Sequence, residues 1–155
     1  MAAHHRIIRQ QNPKRVPMST IDISSFPSYN QAPPYKIALL QPGSFGDNIN
    51  STLMFKPLKN KWPDCIIDVF TSTIYGSAFH NNPYIHKLIQ TPANTKQEAL
   101  HQLITIKPLL ENRGYNHIFC PHPMINPDKW TATKTDLGTN LICAWVRGLE
   151  DAKVP

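Results

Sequence analysis

From residue 36 onward the apolar positions fall into short runs of strand length, separated by polar stretches in which the apolar residues recur at helical spacing. Ile37 to Leu40 is continuously apolar, the pattern of a strand covered on both faces in a parallel sheet. Ile66 to Thr71 reads as a second strand, Lys87 to Gln90 as a third after the Asn82-Pro83 turn, and Tyr115 to Cys120 as a fourth. Between them lie helical stretches: one beginning near Asp47, a short one over Thr73 to His80, and a longer one from Thr95 to Asn112. The last carries Leu100, Leu103, Ile104 and Leu110 on one face and Gly114 past its end, with Pro108 placed to kink or shorten it. A further helix is expected from Asp136 to Leu149, after a turn containing Gly138. Strand alternating with helix predicts an α/β fold with a mostly parallel sheet.

Residues 1–35 break this rhythm. Pro13, Pro17, Pro27, Pro33 and Pro34 interrupt every period, with serine and asparagine between them, so the segment is expected to be a disordered basic extension ahead of one domain over 36–155. Arg6, Arg9, Lys14 and Arg15 against Asp22 give it three of the chain's six net positive charges. Such a tail can rest on anionic lipid or nucleic acid, but its charges are few and lack interleaved aromatics, so a solvated extension is expected, and no nucleic-acid partner. Ile7-Ile8 is too short for the apolar core of a secretion signal, and no apolar run approaches the ~20 residues of a membrane helix. Cys65, Cys120 and Cys143 are odd in number and widely spaced, which fits buried thiols in a reducing, cytoplasmic setting.

The chemistry concentrates where the first strand ends. Pro42 and Gly43 stop it, Gly43 and Gly46 can take positive backbone angles or admit a ligand close to the main chain, and Asp47 follows where a helix begins. In open α/β sheets ligands collect beyond the carboxyl ends of the strands, which makes Asp47 a site candidate; the plainer alternative is a helix cap. The turn lacks the three glycines of a dinucleotide fingerprint and the Gly-Lys-Ser/Thr of a P-loop.

The order of Gly43-Ser-Phe-Gly-Asp47, Leu58-Lys59, Trp62-Pro63-Asp64, the apolar run from Ile66 to Thr71, and Asn82-Pro-Tyr-Ile85 resembles the N-terminal domain of the ADP-heptose:lipopolysaccharide heptosyltransferases, glycosyltransferase family 9. The resemblance implies a first helix closing at Leu58-Lys59 and a Rossmann-like three-layer domain, the acceptor-binding half of an inverting GT-B enzyme. Asp47 would be its catalytic base, with Ser44, Phe45, Gly46, Asn48, Thr73 and His122 as acceptor-groove candidates. It further implies a glycan or lipid-linked acceptor met at the inner face of a membrane. No cofactor or metal is expected, and a nucleotide-sugar donor only with a second domain, for which 155 residues leave no room. The chain alone is therefore expected to be inactive. The alternative is a non-catalytic α/β binding module on the same scaffold.

Two local features bear on the ligand. Phe119 to Trp130 is proline-stiffened and carries His122, Asp128, Lys129 and Trp130, types suited to acidic sugars and to stacking on a pyranose, or simply an exposed loop. His117, Cys120 and His122 lack the fourth partner of a zinc site. Tyr115-Asn116 stands where relatives often have Tyr-Asp, and the tract Asn48-Ile-Asn-Ser51 is more polar than the usual start of the first helix, so ligand preference is expected to depart from heptose acceptors.

Overall fold

The computed structural model describes residues 21–30, 32–41 and 44–119; the expectations for residues 1–20, for the loop from Cys120 to Trp130 and for a helix over Asp136 to Leu149 lie outside the described residues. The order is β1 (Lys36–Leu40), α1 (Phe45–Ser51), a 3-10 turn (Thr52–Met54), α2 (Phe55–Lys61), β2 (Ile66–Ser72), a second 3-10 turn (Gly76–Phe79), β3 (Lys87–Thr91), α3 (Lys96–Leu110) and β4 (His117–Phe119).

The four strands form one all-parallel sheet in the order β3-β2-β1-β4. Ile37 pairs with Ile67 on one side and His117 on the other. Every residue of β1 is buried, as its unbroken apolar run requires of a central parallel strand. Side chains alternate between two cores. Ile37, Leu39, Ile67 and Val69 pack with Met54, Phe55 and Leu58 of the α1–α2 layer. Ala38, Leu40 and Phe70 pack with Ile106 and Leu110 of α3. The result is the expected α/β sandwich, with the sheet between two helical layers.

Three expectations are corrected. The first helix does not run unbroken to Lys59: Pro57 has no N–H to give the Leu53 carbonyl, and Leu53 sits in a 3-10 turn where the Phe55 N–H bonds to Thr52 instead. The stretch from Thr73 to His80 forms only a 3-10 turn over Gly76–Phe79. Thr73, Ile74 and Gly76 are weak helix formers, and Asn81 at φ 57° turns the chain away. On α3 the buried face is Ala99, Gln102, Ile106 and Leu110, with Leu100 half-exposed. Gln102 Nε2 donates to the Pro92 carbonyl, and Thr95 caps the helix by accepting from the Glu98 amide at 3.1 Å. Pro108 is carried inside the helix, which ends two residues later.

The segment 21–30 also departs from the disorder expected of it. It forms no helix or strand, as its prolines dictate, yet Phe26 is buried in the core on the α3 side, edge-on to Phe70 with ring centroids 5.3 Å apart. Arg113 holds the segment in place. Its two terminal nitrogens donate to the Phe26 and Ile23 carbonyls, both at 2.9 Å, and its own carbonyl accepts from the Tyr29 amide. Gly114 makes this approach possible: it lies at φ 75°, and a Cβ there would stand 1.9 Å from the Tyr29 carbonyl oxygen.

Candidate active site

The strand order sets where a candidate site falls. From β1 the chain moves outward to β2 and β3, then returns through α3 to β4 on the other flank of β1, so the connections diverge at the carboxyl end of β1. Such a switch point leaves a crevice where ligands settle. The turn leaving β1 carries Ser44, Phe45, Gly46 and Asp47 into α1, and Gln41 anchors its start by donating its amide to the Phe70 carbonyl at 2.9 Å.

Asp47 is not the N-cap of α1. Ser44 is, and Asp47 stands one turn in, its Oδ2 accepting from the Ser44 amide at 2.8 Å and the Ser44 hydroxyl at 2.9 Å. The carboxylate is half-buried and its orientation is fixed through one oxygen. Oδ1 takes no hydrogen bond from the described residues. Capping therefore occupies one oxygen and, among the described residues, leaves the other without a partner.

The remaining candidates divide. Ser44 is a direct partner of Asp47, and Phe45 is half-exposed beside it. Gly46 lies within α1 without a positive φ and with nothing within 4 Å of where a Cβ would stand, so no turn geometry demands it; what its missing side chain leaves is open space next to Asp47. Asn48 is wholly buried and faces inward: Nδ2 donates to Thr71 Oγ1 at 3.3 Å and to the Tyr75 carbonyl at 3.0 Å. It ties α1 to the end of β2. Thr73, exposed on the same sheet edge, bonds its amide to the Thr91 carbonyl and accepts from the Ala93 amide through its hydroxyl. His122 and Gly43 lie outside the described residues.

A second polar constellation escaped the sequence reading. Asp68, in the middle of β2, has no exposed surface, and its Oδ2 accepts from the hydroxyls of Tyr29 at 2.7 Å and Tyr115 at 2.8 Å. His86 Nδ1 stands 3.1 Å from Oδ1. Burial first, and then the Asp68 charge, push both tyrosine hydroxyls well above their usual range. The signal was an acid inside an apolar run, since a charge on a doubly covered strand must be met by donors from elsewhere in the chain. Asn116, the departure noted beside Tyr115, accepts from the Lys36 amide and donates its own amide to the Lys36 carbonyl, both at 2.8 Å, and so helps set the β1–β4 register. A cavity of about 370 Å³ beside the amino end of β3 is lined by Phe79, His80, Asn82 and His86 among others. Among the described residues no three metal-ligating side chains come together.

No protein-family model and no curated protein matches the sequence. Among solved structures the chain is similar to a glycosyl transferase of family 9 from Veillonella parvula DSM 2008, with a TM-score of 0.56 and 15% identity. The match covers 81% of this chain and 43% of that one, so this chain spans less than half the length of its structural neighbour. At that identity the likeness is one of fold, and the fold is a glycosyltransferase-like α/β scaffold.

Proposed function

We propose that this chain is the acceptor-binding half of an inverting, heptosyltransferase-like glycosyltransferase, with Asp47 as its general base. The observation that carries the reading is the Asp47 carboxylate at the switch point of the sheet, clamped by Ser44 through one oxygen, with no hydrogen bond to the other from the described residues. In the reaction the acceptor hydroxyl oxygen bonds to the anomeric carbon while the bond from that carbon to the nucleotide diphosphate breaks. The diphosphate leaves with the electron pair, and Asp47 Oδ1 takes the hydroxyl proton. A single displacement inverts the anomeric centre. Stabilising the departing phosphates requires cationic or amide donors on the donor side, which in this reading lie outside these residues. The scaffold shared with a family 9 enzyme supports the class. The lipopolysaccharide-type acceptor, the cytoplasmic face of the membrane and the glycan partner follow from the motif resemblance.

The test is a transfer assay with the chain supplied together with a donor-binding lobe. Asp47→Asn keeps the Ser44 contacts but cannot take the proton, and lowers kcat by ~10²- to 10⁴-fold with acceptor KM nearly unchanged. Unchanged kcat would remove Asp47 from the chemistry. Acceptor binding without transfer in the combined protein would favour the non-catalytic module. The chain by itself gives no turnover above a no-enzyme control.

A further inference from the structure

The outward side of the α1–α2 run is apolar where a surface helix is normally polar. Phe45, Ile49 and Leu53 recur at intervals of four, 50%, 47% and 61% exposed, while Asn48, Ser51, Met54, Phe55 and Leu58 fill the opposite side. Among the described residues the other large exposed apolar side chains are Ile23, Ile74, Tyr84 and Leu109, none of which forms such a row. A continuous apolar stripe marks a docking surface.

The charges identify what docks. Lys56 is exposed and falls within the stripe at helical spacing from Leu53. Lys59 and Lys61 follow in the same run, the first donating to the Cys65 carbonyl at 2.5 Å and the second lying over the Trp62 ring. Asp47 is the one acid between Ser44 and Trp62, and its carboxylate is turned back onto Ser44. The chain as a whole carries +6. An exposed apolar row with a lysine set in it, on a basic chain, fits the boundary between headgroups and acyl chains of an anionic bilayer, not a charged protein surface.

We propose that Phe45, Ile49, Leu53 and Lys56 form a docking face for anionic lipid. This deepens the function proposed above and rests on it for the purpose served: the face begins beside Asp47, so docking would bring the acceptor edge of the sheet to the lipid surface. Vesicle binding needs neither donor nor turnover, so it stands or falls independently of transfer activity.

The experiment is co-flotation of the full chain with vesicles of phosphatidylglycerol and phosphatidylcholine in equal parts, with pure phosphatidylcholine vesicles as the comparison. The wild type floats with the anionic vesicles and not with the neutral ones, and raising the salt releases it. The double variant I49Q/L53Q loses affinity by about tenfold, whereas Leu109→Gln, on α3, binds as the wild type does. Both altered side chains of the double variant are exposed, so its circular dichroism and Tm stay at wild-type values and report that it has folded. The proposal is overturned by a wild type that ignores anionic vesicles, by equal binding to neutral ones, or by undiminished binding of the double variant. Self-association that the double variant abolishes, without vesicle binding, would assign the stripe to a second copy of the chain and equally overturn it.

Discussion

Tyr115→Phe isolates the contribution of the buried Asp68 network. The variant keeps the ring that packs edge-on to Tyr29 and to Phe70, at centroid distances of 5.4 and 6.2 Å, and removes only the hydroxyl that donates to Asp68 at 2.8 Å. A hydrogen bond to a charged, fully desolvated acceptor contributes about 1.5–3 kcal/mol, and that is the loss expected near pH 8. The alkaline limb gives the sharper test. Burial, then the Asp68 charge, raise the Tyr115 hydroxyl in the folded chain far above the unfolded value near 10. With the folded value raised, its contribution is fully present below pH ~10 and is lost as the pH climbs toward the folded value, by up to ~1.4 kcal/mol per pH unit. The phenylalanine variant lacks that titration. Urea denaturation between pH 8 and 11.5 should therefore show a gap that shrinks above pH ~10 and closes about one to two units higher. Parallel stability curves for the two proteins across that range would refute the assignment of a neutral, buried Tyr115 hydroxyl on the Asp68 carboxylate.

Two other substitutions probe the clamp on the N-terminal segment and the open space at the site. Gly114→Ala forces a Cβ into the Tyr29 carbonyl at a left-handed backbone position and should cost at least ~2 kcal/mol, with faster amide exchange over 21–30; an unchanged Tm would show that this contact is dispensable. Gly46→Ala meets no neighbouring atom and sits within α1, so it should stabilise the chain by up to ~1 kcal/mol. If sugar approaches the backbone beside Asp47, the same change weakens acceptor binding severalfold, and equal affinity would show that ligand stays away from Gly46.

The strands were legible because a parallel strand covered on both faces needs a near-continuous apolar run, which Ile37 to Leu40 supplies without a break and Ile66 to Phe70 supplies except at Asp68. The long helix was legible from its period: Leu110 is buried as expected and Leu100 is half-exposed, the side chains of Leu103 and Ile104 lie outside the description, and Ala99 and Gln102 join the inward face. The fate of 21–30 was hidden because prolines and serines erase any period, while the energy holding the segment comes from Phe26 meeting Phe70 and Tyr29 meeting Asp68, partners far away in sequence. Asp68 could have been questioned on sequence grounds alone, but Tyr29, His86 and Tyr115 could not have been named as its partners without the fold. At the candidate site, the spacing of Ser44 and Asp47 is that of a capping pair, so the carboxylate that the sequence singled out stands in the first turn of α1 and Ser44, not Asp47, is the cap. Asn48 looked like groove lining from its neighbours; the helix turns it inward, onto Thr71 and Tyr75.

The central claim is that acceptor sugar meets the carboxyl edge of β1 at Asp47. An amide chemical-shift titration of the full chain with a phosphorylated oligosaccharide acceptor tests it without requiring turnover. The account predicts saturable shifts at Ser44, Phe45, Gly46, Asp47 and Thr73 that weaken in Asp47→Ala. Shifts confined to the His80–His86 cavity, or an absence of any response at millimolar sugar, would contradict it.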